Sequence, residues 1–228
     1  MGKIKAIFFD LDNTLIDFIQ MKEESCQAAV KAMIKAGLEM NEKNAYEKLM
    51  ATYFKVGLES DEAFTKFLED ENQFKHKILA AAINAYLKAK NNFLKPYQNV
   101  KSTLRKLREK GVLLAIVTDA PKTKAYQRLL AMGIESFFDF VVGFEDTGHM
   151  KENGLPLKLA MAKLRKSGSR VESGEVIMVG DSIRRDLLPA KKLDLRTALA
   201  KYGQKKEEDG DVDYELKDFS DILKIIPK

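Results

Sequence analysis

Ile4-Lys5-Ala6-Ile7-Phe8-Phe9-Asp10-Leu11-Asp12-Asn13-Thr14 is the stretch on which the fold turns. A short apolar run bounded by polar residues suits a strand buried on both faces of a parallel sheet, and this one ends in Asp10. Four more runs of the same character follow, at residues 112–118, 138–143, 175–180 and 195–200. Helical patterns lie between them. Residues 100–110 stop at Gly111, residues 123–132 stop at Gly133, and a third helix over 157–166 is closed by Ser167 and Gly168. Strands alternating with helices of about ten residues predict an α/β fold, a Rossmann-like parallel sheet with right-handed crossovers.

One stretch breaks the alternation. From residue 18 to residue 92 the pattern is helical throughout. Cys26, Ala29, Val30, Met33 and Ile34 follow the i, i+3, i+4, i+7, i+8 stripe, and Gly37 stops it. Ala45, Leu49, Tyr53 and Phe54 mark a second helix ending at Gly57, Ser60 is placed to cap a third, and residues 77–90 form a fourth. Pro96 closes the region. The expected organisation is a core of residues 1–17 and 94–228 with an all-helical module, residues 18–93, inserted after the first strand. The charged run at 205–213 reads as a solvated loop.

Composition narrows the class. A chain of 228 residues with 45% hydrophobic content can bury a sizeable core. No apolar run reaches the ~18 residues a transmembrane helix needs, and the first ten residues lack a signal-type apolar segment. Cys26 is the single cysteine, which suits a reducing cytoplasm. The net charge of +5 is spread over helices and interleaved with acids, and one Cys with two His cannot build a zinc finger. Nucleic acid and membrane are therefore not expected as partners. The excess charge suits an anionic small molecule. A monomer or homodimer is expected.

Polar residues collect where such sheets bind ligands, at the carboxyl ends of the strands. The first strand ends in Asp10-Leu11-Asp12-Asn13-Thr14, the second in Thr118-Asp119, and the fourth in Gly180-Asp181-Ser182, with Asp186 five residues past Asp181. Lys151 lies in the loop after the third strand. Any one of these could simply cap the next helix. Several carboxylates on one edge repel, however, unless a cation or ligand holds them. Mg²⁺ takes one or two carboxylates together with waters and phosphate oxygens, and Asp10 and Asp181 could supply them, with Lys151 offsetting part of the remaining charge. Asp10 is placed to attack phosphorus, and Asp12 to exchange a proton with the leaving group and then with water. His76 and His149 read as surface residues.

The order D-x-D-x-T, an apolar strand ending in Thr, a lysine, then G-D-x-x-x-x-D resembles the haloacid dehalogenase superfamily over residues 4–203. A helical insertion between the first two motifs is the position of the cap in its phosphoglycolate phosphatase-like branch. The resemblance implies a Mg²⁺-dependent phosphatase acting on a small phosphorylated metabolite through an aspartyl phosphate. It implies Asp10 as nucleophile and metal ligand, and Asp12 as general acid/base, its backbone carbonyl also touching the metal. Thr118 would bind the phosphoryl group, Lys151 would steady its charge, Asp181 would be the acidic metal ligand, and Asp186 would support the metal site. The cap would lie over the leaving group. Two departures stand out. Asp119 follows Thr118 where many relatives have Asn or Gly, so its side chain is expected to point away or to contact substrate hydroxyls. The lysine motif reads Lys151-Glu152-Asn153-Gly154-Leu155-Pro156, longer than the family's K-P-x-P, with Lys158 as the alternative lysine. Thr118-Asp119-Ala120, Lys201-Tyr202-Gly203 and Val212-Asp213-Tyr214-Glu215-Leu216 resemble an archaeal subgroup containing glyceraldehyde-3-phosphate phosphatase-like proteins.

Other chemistries of the superfamily weigh less. Dehalogenases need neither Asp12 nor Asp181, and phosphonatases need a Schiff-base lysine in the cap, where Lys22 is one lysine among many. A sugar-phosphate mutase would keep the same core residues. A silent binding protein with this fold would not need Asp10, Asp12, Thr118, Lys151, Asp181 and Asp186 together.

Overall fold

The opening apolar run becomes β1 (Ala6–Phe9), with every residue buried. The structure, a computed structural model, describes residues 3–166 and 170–226. After β1 come four helices: α1 (Phe18–Ala36), α2 (Glu42–Val56), α3 (Ala63–Asp70) and α4 (His76–Phe93). The chain then alternates through α5 (Val100–Glu109), β2 (Leu113–Val117), α6 (Lys122–Met132), β3 (Phe140–Val142), α7 (Leu155–Lys166) and β4 (Val176–Gly180). It closes with β5 (Arg196–Ala200) and β6 (Tyr214–Leu216). Two compact units result, Met1–Asp17 with Lys95–Lys228, and Phe18–Leu94.

In the first unit the six strands are all parallel, in the order β3-β2-β1-β4-β5-β6. The chain builds outward from β1 through β2 to β3, then returns to the other side of β1 as β4. The switch point of this doubly wound sheet therefore lies between β1 and β4, where such folds open a crevice for ligands. Phe9 pairs with Ile116 of β2 and with Val179 of β4, so Asp10 and Asp181 emerge side by side at that crevice. The strands are apolar on both faces because both faces are covered. Ala6, Phe8, Met178 and Leu199 pack with Leu157, Ala160 and Leu187 on one side.

The five expected strands are present, each shortened by a residue or more, and β6 is an addition. At three residues with one buried side chain, β6 carries too little periodicity to be seen in sequence, and only pairing with β5 makes it a strand. The expected helix end at Ser167 and Gly168 lies outside the described residues. The charged run at 205–213 is not simply solvated. Glu208 accepts hydrogen bonds from the Ser182 hydroxyl (3.0 Å) and the Arg184 amide (2.9 Å), Lys205 pairs with Asp17 (2.6 Å), and Asp211 pairs with Lys191. These charges tie it to the core, while Lys206 and Asp209 are exposed.

The second unit is four helices around Cys26, Val30, Met33, Leu49, Phe67 and Ile78. Ser60 does not cap α3: its hydroxyl accepts from the Glu62 amide at 3.2 Å, and the helix starts after Glu62. Lys22 is buried, with Nζ 3.3 Å from the Tyr53 ring centroid and 3.1 Å from the Tyr86 hydroxyl, so cation–π attraction and a hydrogen bond hold it. Burial pushes the Cys26 thiol up to about 11. Among the described residues no helix is long and apolar enough to cross a membrane.

Candidate active site

Asp10 continues β1 by one residue, its amide donating to Val179 O at 2.9 Å. The chain then folds tightly back. Asn13 sits in the left-handed region at φ 60°, a conformation asparagine tolerates, and its amide bonds Ile16 O at 2.7 Å. This turn carries the Thr14 hydroxyl back to donate to Asp10 Oδ2 at 3.2 Å. Residues after β5 clamp the turn from outside. Tyr202 donates its hydroxyl to Thr14 O at 2.7 Å, and Gly203 lies so close that an added Cβ would be 2.8 Å from the Asn13 carbonyl carbon. No other side chain fits at 203 without moving the turn.

Past the end of β4 and Asp181, Asp186 lies within a single wide turn of π type, Ile183–Leu187. Turns of this kind are frequent at functional sites. Asp186 accepts from the Ser182 amide at 3.1 Å and lies against Gly180, where a Cβ would come within 2.6 Å of the Asp186 Cβ. Lys151 reaches in from the loop after β3. Its Nζ pairs with Asp10 and, at 2.8 Å, with Asp186, and the side chain is buried. Lys158, the alternative, is exposed on α7. Oxygens of Asp10, Asp181 and Asp186 all lie within 4.8 Å of one another.

Thr118 follows β2, one residue beyond the level of Asp10, and is buried. Its oxygen accepts from the Ala120 amide at 3.2 Å, which leaves its own proton to donate. Asp119 departs from expectation. Its carboxylate does not simply point away: Oδ1 accepts from the Lys151 amide at 2.7 Å, so the extra acid anchors the lysine loop. The longer loop thus still delivers its lysine, held by an acid 32 residues earlier in the chain.

The electrostatics show a site short of positive charge. Burial raises the Asp10 carboxyl well above the usual range, against the pull of Lys151, and the carboxylates of Asp186, Asp181 and Asp12 add to the rise. Burial, then Asp186, pushes Asp181 up to about 6. Burial raises Asp12 against the pull of Arg128. For Lys151, burial opposes the charge, but Asp10, Asp186 and Asp119 together hold it firmly protonated. Asp181 Oδ1 is buried and accepts no hydrogen bond among the described residues. Its nearest cation is Arg185, whose Nη2 stands 3.8 Å away, and a hard divalent cation fits such a set, since it would neutralise the crowded carboxylates and use an oxygen that accepts no hydrogen bond.

Arg128, Arg185 and Glu208 at this site are absent from the sequence reading. Arg128 on α6 is almost fully buried, with Nε 3.4 Å from Asp12 Oδ1. A signal existed: Ala125, Arg128, Leu129 and Met132 form an i, i+3, i+4, i+7 stripe, and a charge on a buried stripe calls for a partner. Glu208, which fixes Ser182 beside Asp181, carried no local signal within an acidic run.

The profile of the Haloacid dehalogenase-like hydrolase family matches residues 7–200. The glyceraldehyde 3-phosphate phosphatase of Methanopyrus kandleri is 33% identical over 95% of this chain and 92% of its own length. That of Methanocaldococcus jannaschii is 30% identical over 98% of this chain and 97% of its own. Among solved structures, the HAD phosphatase from Thermococcus onnurineus shares the fold at a TM-score of 0.72, with 23% identity and 97% of each chain covered.

Proposed function

The chain belongs to the haloacid dehalogenase-like hydrolase family and is a phosphatase of that family, and we propose that it hydrolyses a small phosphorylated metabolite through transient phosphorylation of Asp10. The observation that carries this reading is the pairing of Asp10, at the switch point of the sheet, with the buried ammonium of Lys151 and the carboxylates of Asp181 and Asp186. Asp10 Oδ2 and Oδ1 are held by Thr14 and Lys151, so the nucleophile is aimed before substrate arrives.

In the first half-reaction the Asp10 carboxylate attacks phosphorus, the bond from phosphorus to the ester oxygen breaks, and Asp12 gives its proton to the departing alkoxide. In the second, Asp12 takes a proton from water, the resulting hydroxide attacks phosphorus, and the bond to Asp10 breaks to release phosphate. Thr118 and Lys151 contribute a hydroxyl proton and a fixed positive charge to the phosphoryl oxygens. Asp10, Asp181 and the Asp12 backbone carbonyl, with Asp186 in support, would hold Mg²⁺, which would supply neutralisation of the phosphate charge. Glyceraldehyde 3-phosphate is the first substrate to test, because two relatives named for that activity match nearly the whole chain.

The test is phosphate release with Mg²⁺ from p-nitrophenyl phosphate and glyceraldehyde 3-phosphate, with wild type beside Asp10→Asn. Uncatalysed monoester hydrolysis is so slow that losing the nucleophile should leave no detectable turnover. An Asn variant working at near wild-type rate sinks the proposal. Conversion of a sugar phosphate to an isomer without phosphate release would assign a mutase instead.

A further inference from the structure

Arg128 heads the largest fully buried side chains, and it lies on the apolar stripe of α6 beside Ala125, Leu129 and Met132. A guanidinium stays charged at any physiological pH, so burying it is costly unless an anion lies against it. Leucine or methionine at this position would suit the core better. What the arginine brings is a fixed charge 3.4 Å from Asp12 Oδ1, on a side chain that is itself 2% exposed.

The two acids of the opening loop are thus held differently. Asp10 is fixed by Thr14 and Lys151, while Asp12 faces Arg128. A group that gives up a proton and recovers it within one cycle must keep its aim through both steps, and an error of about 1 Å can cost about 100-fold in rate. We propose that Arg128 is a positioning residue that fixes the Asp12 carboxylate through Oδ1, so that Oδ2 is the oxygen that exchanges the proton with leaving group and water. The Nε–Oδ1 contact is an ion pair without a hydrogen bond, so what steadies Oδ1 is the permanent guanidinium charge, kept in place because the side chain is packed in the core. The inference rests on the acid/base reading of Asp12.

The experiment compares wild type, Arg128→Gln, Arg128→Lys, Asp12→Asn and the double variant D12N/R128Q, each checked for folding by near-ultraviolet circular dichroism. Two esters are used, glycerol 3-phosphate, whose alkoxide must be protonated, and p-nitrophenyl phosphate, whose phenolate leaves without a proton. R128Q should lower kcat for the alkyl ester by about 10- to 100-fold and for the aryl ester by less than about threefold, with KM little changed. R128K should recover part of the alkyl activity, and the double variant should be no slower than D12N. Equal losses on both esters, a further loss in the double variant, or failure of both Arg128 variants to fold would overturn the assignment. If D12N itself does not separate the esters, the acid/base reading falls and Arg128 with it. If D12N separates them and R128Q does not, only the role of Arg128 falls.

Discussion

Lys151→Met would remove the buried ammonium that pairs with Asp10 and Asp186 while keeping the side chain's approximate volume, so the change is chiefly one of charge. At the 2.8 Å separation from Asp186, two unit charges attract by about 6 kcal/mol at an effective dielectric of 20. Desolvation of the ammonium offsets several kcal/mol of that, and breaking one side of a buried pair leaves a net loss of about 3–5 kcal/mol. For a chain of 228 residues each kcal/mol lowers Tm by about 2–4 °C, so Tm should fall by roughly 6–20 °C. The size of the loss should depend on pH. Asp10 and Asp181 are already raised in the folded state, Asp181 to about 6 against an ordinary value of 3.8. Between those values Asp181 holds more of its proton in the folded than in the unfolded chain, so its contribution to stability grows as pH falls through about 6 toward 4. Taking away Lys151 raises these carboxyls further and widens that window upward. The difference between variant and wild type should therefore be large at pH 8 and smaller at pH 5, where protons replace the missing charge. Urea unfolding in EDTA at pH 8, 6.5 and 5 measures it. A loss below about 1 kcal/mol at pH 8, or one of equal size at all three pH values, would refute the reasoning.

Two further outcomes follow from the same geometry. Gly203→Ala should displace the turn at Asn13, lowering kcat at least about tenfold and stability by about 1–3 kcal/mol, whereas Gly174→Ala, whose Cβ would meet nothing within 4 Å, should change neither; activity and thermal melts of both variants check this. EDTA should abolish phosphate release, Mg²⁺ restore it and Ca²⁺ restore it poorly; the Mg²⁺ concentration for half activity should rise below pH of about 6, as Asp181 takes up its proton, and Asp181→Ala should raise it about tenfold or more at any pH.

The parallel α/β core and the helical insertion were legible in the sequence because both rest on local periodicity. Doubly buried strands must be apolar throughout, as 6–9 and 176–179 are, and the stripe from Cys26 to Met33 can belong only to a helix with one covered face. Asp10, Asp12, Thr118, Asp181 and Asp186 stood out because a parallel sheet sends its strand ends to one edge, so position in a motif translates directly into position in space. The tertiary structure decided what depends on partners far along the chain. It set the order of the strands around β1, made three residues of a charged tail into β6 and turned Glu208 onto Ser182. It brought Lys151 rather than Lys158 to Asp10, using Asp119 as the anchor, and it laid Arg128 against Asp12 across more than a hundred residues of chain. Backbone periodicity is a property of neighbours in sequence. The pairing of buried charges is a property of the packed core, where each ionised group must find an opposite charge or a hydrogen bond wherever the fold supplies one.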